Sequence, residues 1–246
     1  MSSHLEKQNE SRFPIVGIGA SAGGLEAFTG LLQHLPPDTG MGFVLVQHLA
    51  HGRESALTRI LSRTTSMPVY EAVDNLSVEP NHIYVIPPNR VLTIVTRLLK
   101  LHPRSKPTAP LRTIDFFLEA LARDQQACAI GIILSGAASD GTLGLCAVKE
   151  VGGITFAQDQ SADFDSMPRN AIAAGCVDFA LPPSGIAQEL GRIANAFLPG
   201  ASCPRTRKVQ SGAKAATESP ECRAFQSGGL ANESTAHRFS VRGGNY

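Results

Sequence analysis

The stretch that decides the fold reads FPIVGIGASAGGLEAFTGLL and spans residues 13–32. Its first part, residues 14–19, is a short apolar run of the kind found in strands that are buried on both faces of a parallel sheet. A few small residues follow, and then Leu25, Phe28 and Leu31 recur at helical spacing. The stretch therefore predicts a buried strand, a tight turn and an amphipathic helix.

The same pattern of strand and helix recurs along the rest of the chain. Further apolar runs predict strands at residues 42–47, 67–70, 83–86, 91–95, 130–134, 154–157 and 177–181. Apolar stripes at helical spacing predict helices within residues 111–121 and 186–197. The alternation predicts an α/β fold, a doubly wound, mostly parallel sheet with helices on both faces. Residues 83–95 are expected to form an antiparallel hairpin extension, and residues 97–110 a surface loop.

The composition is that of an ordinary globular protein. Of 246 residues, 43% are hydrophobic and 17% are charged, which excludes collagen, coiled coil and overall disorder. The formal net charge of +1 gives no support to nucleic-acid binding. We find neither a signal-peptide core nor an apolar run of about 20 residues, so a cytoplasmic protein without membrane insertion is expected. Five cysteines without a CxxC pair predict free thiols.

The large apolar residues are unevenly distributed, and this divides the chain into three parts. Residues 1–12 are polar and are expected to be flexible. Residues 13–198 carry the alternating pattern and are expected to form one domain. Residues 199–246 hold few large apolar side chains, too few to offset the entropy lost on ordering, and this predicts a disordered tail.

Three polar residues stand at the carboxyl ends of predicted strands, where open parallel sheets bind their ligands. They are Ser21, His48 and Asp140. A hydroxyl, an imidazole and a carboxylate suit acyl transfer, because the imidazole takes the proton of the hydroxyl and the acid fixes the imidazole tautomer. A structural interpretation stays open for each residue. Ser21 and Asp140 would then be N-caps of the helices that follow them, and His48 would be a structural residue.

Two motifs overlap around Ser21. Residues 19–23 fit G-x-S-x-G, a strand-to-helix turn that exposes a nucleophilic serine, although the chain order Ser, His, Asp differs from that of α/β-hydrolases. Residues 17–22 also fit G-x-G-x-x-A, a dinucleotide fingerprint that requires an acidic residue at the end of the second strand. Gln47 and His48 stand there instead, which disfavours a dinucleotide cofactor.

The chain resembles the catalytic domain of CheB-type protein-glutamate methylesterases, in the form found at the N-terminus of CheB/CheR hybrid proteins. The resemblance covers residues 13–198 and rests on five ordered runs, FPIVGIGASAGGLEAF, FVLVQHL, NHIYVIPPNR, IGIILSGAASDGTLGL and QDQSADFDSMPRNAIAAGCVD. It implies hydrolysis of γ-glutamyl methyl esters, and in many members deamidation of glutamines, on chemoreceptors. By match, Ser21 is the nucleophile, His48 the general base and Asp140 its orienting partner, with no metal or cofactor.

The resemblance also implies the partners of the chain. These are the methylated cytoplasmic helices of a chemoreceptor, with a CheR-type methyltransferase as a second candidate. The sequence departs from the family pattern at Ala22, where threonine is usual, and at Gly136, Ala137 and Ala138, where Gly-Met-Gly is usual. Backbone donors survive both changes, so an oxyanion hole of main-chain amides is still expected. The alternative is a receptor-binding signalling module without turnover, derived from such a hybrid.

Overall fold

The computed structural model describes residues 13–47, 56–103 and 112–196. Its strands are β1 (Ile15–Ala20), β2 (Gly42–Gln47), β3 (Val69–Glu71), β4 (Leu76–Ser77), β5 (Ile83–Val85), β6 (Arg90–Val95), β7 (Leu98–Pro103), β8 (Ala129–Ile133), β9 (Ile154–Gln158) and β10 (Phe179–Leu181). Its helices are α1 (Gly24–Leu32), α2 (Ala56–Leu61), α3 (Thr113–Gln125), α4 (Thr142–Glu150), α5 (Ser166–Ala173) and α6 (Pro183–Ala196).

Seven of the strands form one parallel sheet in the order β10-β9-β8-β1-β2-β5-β3. Strand β1 lies in the middle of this sheet, and the later strands are added outward in both directions, first through β2 and then through β8. The remaining strands form a separate antiparallel sheet in the order β4-β7-β6. The predicted α/β fold with an antiparallel extension is thus confirmed.

Helices cover both faces of the parallel sheet because alternate strand residues point to opposite sides. Ile15 belongs to the core that is shared with α3, α4, α5 and the small sheet. Its neighbour Val16 belongs to the core that is shared with α1, α2 and α6. The burial of every residue in β1 explains why this strand reads as a continuous apolar run.

Two glycines of β1 bring α3 unusually close to the middle of the sheet. A side chain at Gly17 would come within 2.8 Å of Leu118, and one at Gly19 would collide with Ile114. The first glycines of the possible dinucleotide fingerprint therefore serve helix packing here. Their packing places the N-terminus of α3 near the carboxyl end of β1.

The hairpin prediction is wrong in its position. Ile83–Val85 pairs in parallel with both β2 and β3, so it belongs to the main sheet. The antiparallel hairpin is formed by Arg90–Val95 and Leu98–Pro103, and the second of these strands lies where a surface loop was expected. Only part of β7 is buried, so its sequence carries polar residues that obscure the strand pattern.

The expectation that the cysteines are free thiols is wrong for Cys128, Cys146 and Cys176, each of which is disulfide-bonded. Cys146 in α4 and Cys176 after α5 form a disulfide, with their Cα atoms 4.8 Å apart. The packing of α4 on α5 brings these cysteines together across 30 residues of sequence. No spacing rule for cysteines predicts such a pair from sequence.

Three of the expectations fall outside the described residues. They concern the flexible N-terminus at residues 1–12, the disordered tail at residues 199–246 and the position of His48. Across the three described ranges, none of the helices is long and apolar enough to cross a membrane.

Near the disulfide between Cys146 and Cys176, Asp178 joins the end of α4 to β9. Its carboxylate accepts hydrogen bonds from the Thr155 backbone and hydroxyl, at 3.0 and 2.8 Å, and pairs with Lys149 Nζ at 3.0 Å. Burial raises the pKa of Asp178, but the hydrogen bonds from Lys149 and Thr155 outweigh it and lower the pKa below its ordinary value. Ionised Asp178 therefore stabilises the fold.

We expect Asp178→Asn to lower the Tm by about 2–4 °C at pH 7, which corresponds to about 1 kcal/mol once partial exposure is allowed for. Because the folded pKa is lowered, this contribution is complete above the unfolded pKa of about 4 and disappears as the pH falls through the folded pKa. Thermal melts from pH 7 to pH 3 should show the two proteins converging. Glu189→Gln, at an exposed pair with Arg192, is the control and should change the Tm little at any pH. A constant difference across this range would contradict the assignment.

Candidate active site

Ser21 lies in the turn between β1 and α1 and is half-buried. Its carbonyl accepts the Gly24 N–H at 3.0 Å and the Gln47 side-chain amide at 3.2 Å. The cap position of α1 is occupied by Gly23, which adopts a left-handed conformation with φ 70°. The interpretation of Ser21 as the N-cap of this helix is therefore wrong, and its hydroxyl is available for another role.

The turn of Ser21 is joined to the loop that follows β8. The Ser21 N–H donates to the Ser135 carbonyl at 2.9 Å, and the Ser135 hydroxyl donates to the Ala22 carbonyl at 2.8 Å. The same hydroxyl accepts the Phe164 N–H at 3.1 Å. Ser135 is only 1% exposed, so these bonds form a buried junction between the two loops.

Gly136 allows this loop to approach the candidate nucleophile. A Cβ atom at Gly136 would stand 3.1 Å from the Ser21 Cβ and would collide with Met167. The start of α5 holds the loop from the other side, because the Met167 N–H donates to the Gly136 carbonyl at 3.0 Å. Asn170 adds a bond of 2.8 Å from its side-chain amide to the Ala138 carbonyl. The loop is thus held at several points.

Asp140, near the end of this loop, is 6% exposed and lies against the N-terminus of α3. Its two carboxylate oxygens accept the backbone N–H groups of Ile114 and Asp115, each at 2.9 Å. Those groups carry the positive end of the helix dipole and stabilise a carboxylate. The residue at the cap position of α4 is Gly141, so the interpretation of Asp140 as the cap of its own helix is wrong. Asp140 caps α3 instead.

Of the three candidate catalytic residues, the structure describes two. The loop of residues 135–140 contacts the turn of Ser21 at its first residue and carries Asp140 at its last. Strand β2 ends at Gln47, which is in register with Ala20, and His48 follows outside the described residues. The relation of His48 to the other two residues stays a prediction.

Several buried polar residues at this edge were missed in the sequence. Ser135, Gln158 and Asp115 are all less than 9% exposed, and each is hydrogen bonded. Gln158 accepts the Ser135 N–H at 2.9 Å and so supports the junction beneath Ser21. A polar residue within or directly after an otherwise apolar pattern could have indicated these buried positions. Asp115, within the apolar stripe of α3, is an example.

A cavity of about 230 Å³ lies beside the turn of Ser21. Its lining includes Gly23, Glu26, Gln158 and Asp163. A carboxylate in the first turn of α1 would repel a pyrophosphate at that helix N-terminus, so the cavity gives no support to a dinucleotide. Within the described ranges, no three side chains of the metal-ligating types are grouped so as to hold an ion.

Ala138 adopts a left-handed conformation, with φ 70°. This conformation costs a residue with a Cβ atom about 1–2 kcal/mol, whereas glycine adopts it freely. We expect Ala138→Gly to stabilise the protein by about 0.5–1 kcal/mol and to raise the Tm by about 2 °C.

The matched control for this prediction is Ala137→Gly. Ala137 is the exposed neighbour and is not among the residues with positive φ, so glycine there should only add entropy to the unfolded chain and lower the Tm slightly. Thermal melts of both variants and of the wild type test this prediction. An Ala138→Gly protein that melts below the wild type would contradict the prediction.

Comparison with known proteins agrees with the resemblance. A family model described as CheB methylesterase matches residues 16–190. A Leptospira interrogans protein, named as a candidate protein-glutamate methylesterase/protein-glutamine glutaminase, is 34% identical over 180 residues, which are 72% of this chain and 92% of that protein. A Syntrophus aciditrophicus protein-glutamate methylesterase/protein-glutamine glutaminase is 33% identical over 192 residues, which are 75% of this chain but 55% of that protein.

A solved structure gives the same result for the fold. The catalytic domain of the Thermotoga maritima CheB methylesterase superposes with a TM-score of 0.68 at 29% identity. The superposition covers 74% of this chain and 99% of that domain. The chain spans nearly all of that domain and of the Leptospira protein, and about half of the Syntrophus relative. The chain belongs to the CheB methylesterase family.

Proposed function

We propose that the chain is a protein-glutamate methylesterase that hydrolyses γ-glutamyl methyl esters on the cytoplasmic helices of chemoreceptors. One observation carries the proposal, namely the bond of 2.9 Å from the Ser21 N–H to the carbonyl of Ser135, at the start of the loop that ends in Asp140. It joins two of the motifs on which the family resemblance rests. In this proposal Ser21 is the nucleophile, His48 is the general base and Asp140 orients the imidazole of His48.

The proposed reaction has two steps. The Ser21 hydroxyl attacks the ester carbonyl while His48 accepts its proton, and the tetrahedral intermediate collapses when His48 returns that proton to the departing methanol. The glutamyl group is then esterified to Ser21. Water activated by His48 attacks this acyl-enzyme and releases the glutamate carboxylate. Each atom is supplied by the ester, by water and by the side chains of the protein.

Main-chain amides are the proposed source of oxyanion stabilisation. The turn of Ser21 leads directly into the N-terminus of α1, where the helix dipole favours negative charge. The loop that contains Gly136 packs against Ser21. The Gly136 N–H itself donates to the Phe164 carbonyl at 2.8 Å, so the later amides of this loop are the further candidate donors. One oxyanion-hole donor contributes roughly 3–4 kcal/mol to the transition state in related hydrolases. The substitutions at Ala22 and Ala137 leave these backbone donors in place.

Exposed apolar side chains beside both loops fit a protein substrate. Phe164 is 49% exposed and would stand 3.2 Å from a Cβ atom at Gly23, next to Ser21. Leu143, in the first turn of α4, is 57% exposed. Apolar surface of this kind is typical of contacts with another protein. A receptor helix as substrate would locate the reaction in the cytoplasm, where a CheR-type methyltransferase would regenerate the ester.

Deamidation of receptor glutamines belongs to the same proposal. An amide carbonyl would be attacked by Ser21 in the same way as an ester carbonyl, and ammonia would leave in place of methanol. The names of the relatives pair these two activities. The same acyl-enzyme would follow from either substrate.

The test is turnover of a receptor fragment that carries labelled methyl esters. Wild-type protein should release methanol, and a matched fragment with glutamine at the same positions should release ammonia. The alternative, a receptor-binding module without turnover, is favoured by the departures at Ala22 and Ala137. It would be supported by binding of the fragment without release of methanol in the wild type and in the double variant Ala22→Thr, Ala137→Met, which restores the usual residues.

A further inference from the structure

The N-terminus of α3 is capped by a carboxylate that lies just before α4, and the N-terminus of α4 is capped by a carboxylate of α3. Asp140, just before α4, accepts the Ile114 and Asp115 N–H groups in the first turn of α3. In return Asp115 accepts the Gly144 N–H in the first turn of α4, at 2.9 Å. Neither helix has a hydrogen bond from the side chain of its own cap residue. The two carboxylates therefore supply capping bonds at both helix starts.

The two helices meet almost backbone to backbone at this point. A Cβ atom at Gly144 would stand 3.2 Å from both the Cα atom and the carbonyl oxygen of Asp115. The contact leaves no room for side chains between the helix starts. A small displacement of α3 relative to α4 would therefore move the amides that hold Asp140.

Asp115 is 3% exposed and is held from outside by Arg112. Arg112 Nε donates to its second oxygen at 3.2 Å, and the same guanidinium pairs with Glu119 at 2.9 Å. Burial raises the pKa of Asp115, as does the nearby charge of Asp140, while the Gly144 N–H and Arg112 oppose the increase. Such a buried carboxylate is costly unless it is hydrogen bonded, and each oxygen of Asp115 accepts one bond here.

We propose that Asp115 is a positioning residue for Asp140, because its bond to Gly144 fixes the start of α3 whose amides hold the Asp140 carboxylate. The effect on catalysis rests on the proposed function, since Asp140 is there the residue that orients His48. Asp115 itself does not touch the reacting atoms. It acts by holding the two amides that determine where the carboxylate of Asp140 lies.

The test compares Asp115→Ala and Asp115→Asn with the wild type. In Asp115→Ala, α3 loses its bond to α4, and we expect kcat for methanol release to fall on the order of 10²-fold, the effect of a misplacement of about 1 Å, while KM changes by less than about threefold. Asparagine keeps an oxygen acceptor for Gly144 but presents an amide group to Arg112. For Asp115→Asn we therefore expect a smaller fall in kcat, about tenfold.

A second readout is independent of activity. The backbone amides of residues 114 and 115 should exchange with solvent at least about tenfold faster in Asp115→Ala than in the wild type, while amides in the middle of β1 keep their protection. Asp178→Ala is the matched control, because Asp178 also accepts a backbone amide and pairs with a cation of α4, but its partners are Thr155 and Lys149 and not the start of α3. It should lower stability without changing kcat or the exchange of these two amides.

The outcomes separate this proposal from the proposed function. Wild-type kcat and wild-type protection in Asp115→Ala would overturn the positioning role, as would an equal fall of kcat in the Asp178→Ala control. If Asp115→Ala does not fold, Asp115→Asn decides, and a kcat within about twofold of the wild type would overturn the proposal. A wild-type protein without turnover would overturn the proposed function instead. Amide exchange at residues 114 and 115 would then support or overturn the positioning of Asp140 by itself.

Discussion

Ser21→Ala is expected to lose ester hydrolysis almost completely and to keep its fold. If Ser21 is the nucleophile, its removal leaves only the catalysis that binding and the oxyanion hole supply, a fall in kcat on the order of 10⁶ in comparable triads. Stability should hardly change, because the contacts of Ser21 in the turn are made by its backbone, through Ser135, Gly24 and Gln47. An N-cap serine would instead cost about 1 kcal/mol on replacement by alanine.

The measurement is methanol release and Tm on the same preparations of wild type and variant. Ser139→Ala is the matched control, because Ser139 is an exposed serine in the loop that carries Asp140 and has no proposed part in the reaction. It should retain wild-type turnover. Retention of turnover by Ser21→Ala would remove Ser21 from the mechanism, and a large fall in its Tm would show that the hydroxyl has a structural role.

The central strands of the main sheet were predictable because their environments are simple. β1 and β2 are buried on both faces over almost their whole length, and so their sequences consist of apolar residues and glycine up to Ser21 and Gln47. The strand at Leu98–Pro103 was missed because it is only partly buried. The hydrophobic pattern of a single sequence reports burial, so a strand that is only partly buried can be missed.

The candidate site was predictable only in part, for a related reason. The ends of parallel strands share one sheet edge, so residues that follow such strands were expected together, and the junction of Ser21 with Ser135 fits this rule. The partner of Asp140 could not be predicted in the same way. Asp140 lies 25 residues or more along the chain from the two backbone amides whose hydrogen bonds it accepts. That contact depends on the packing of α3 against α4 and on the absence of a side chain at Gly144.

Asp140 has two roles in this account, and substitution separates them. As a cap it satisfies two amides at the start of α3, and as the proposed partner of His48 it fixes the tautomer of the imidazole. In Asp140→Asn, the side-chain oxygen can accept a hydrogen bond from only one of the two N–H groups, and the side-chain amide group faces the other. We therefore expect the free energy of unfolding to fall by about 1–3 kcal/mol. The Tm should fall by about 2–4 °C for each kcal/mol.

The larger expected effect of Asp140→Asn is on the rate. An amide in place of the orienting carboxylate holds the imidazole in the wrong tautomer, and the comparable substitution in a serine hydrolase lowers kcat about 10⁴-fold. Methanol release is to be measured well below the Tm, so that the folded fraction is the same in variant and wild type. Asp178→Asn, which also removes a hydrogen-bonded carboxylate, should lose stability and keep its kcat. If Asp140→Asn likewise lost only stability, Asp140 would be a helix cap and no more, because a cap acts on the folded fraction and a triad residue acts on the rate of the folded protein.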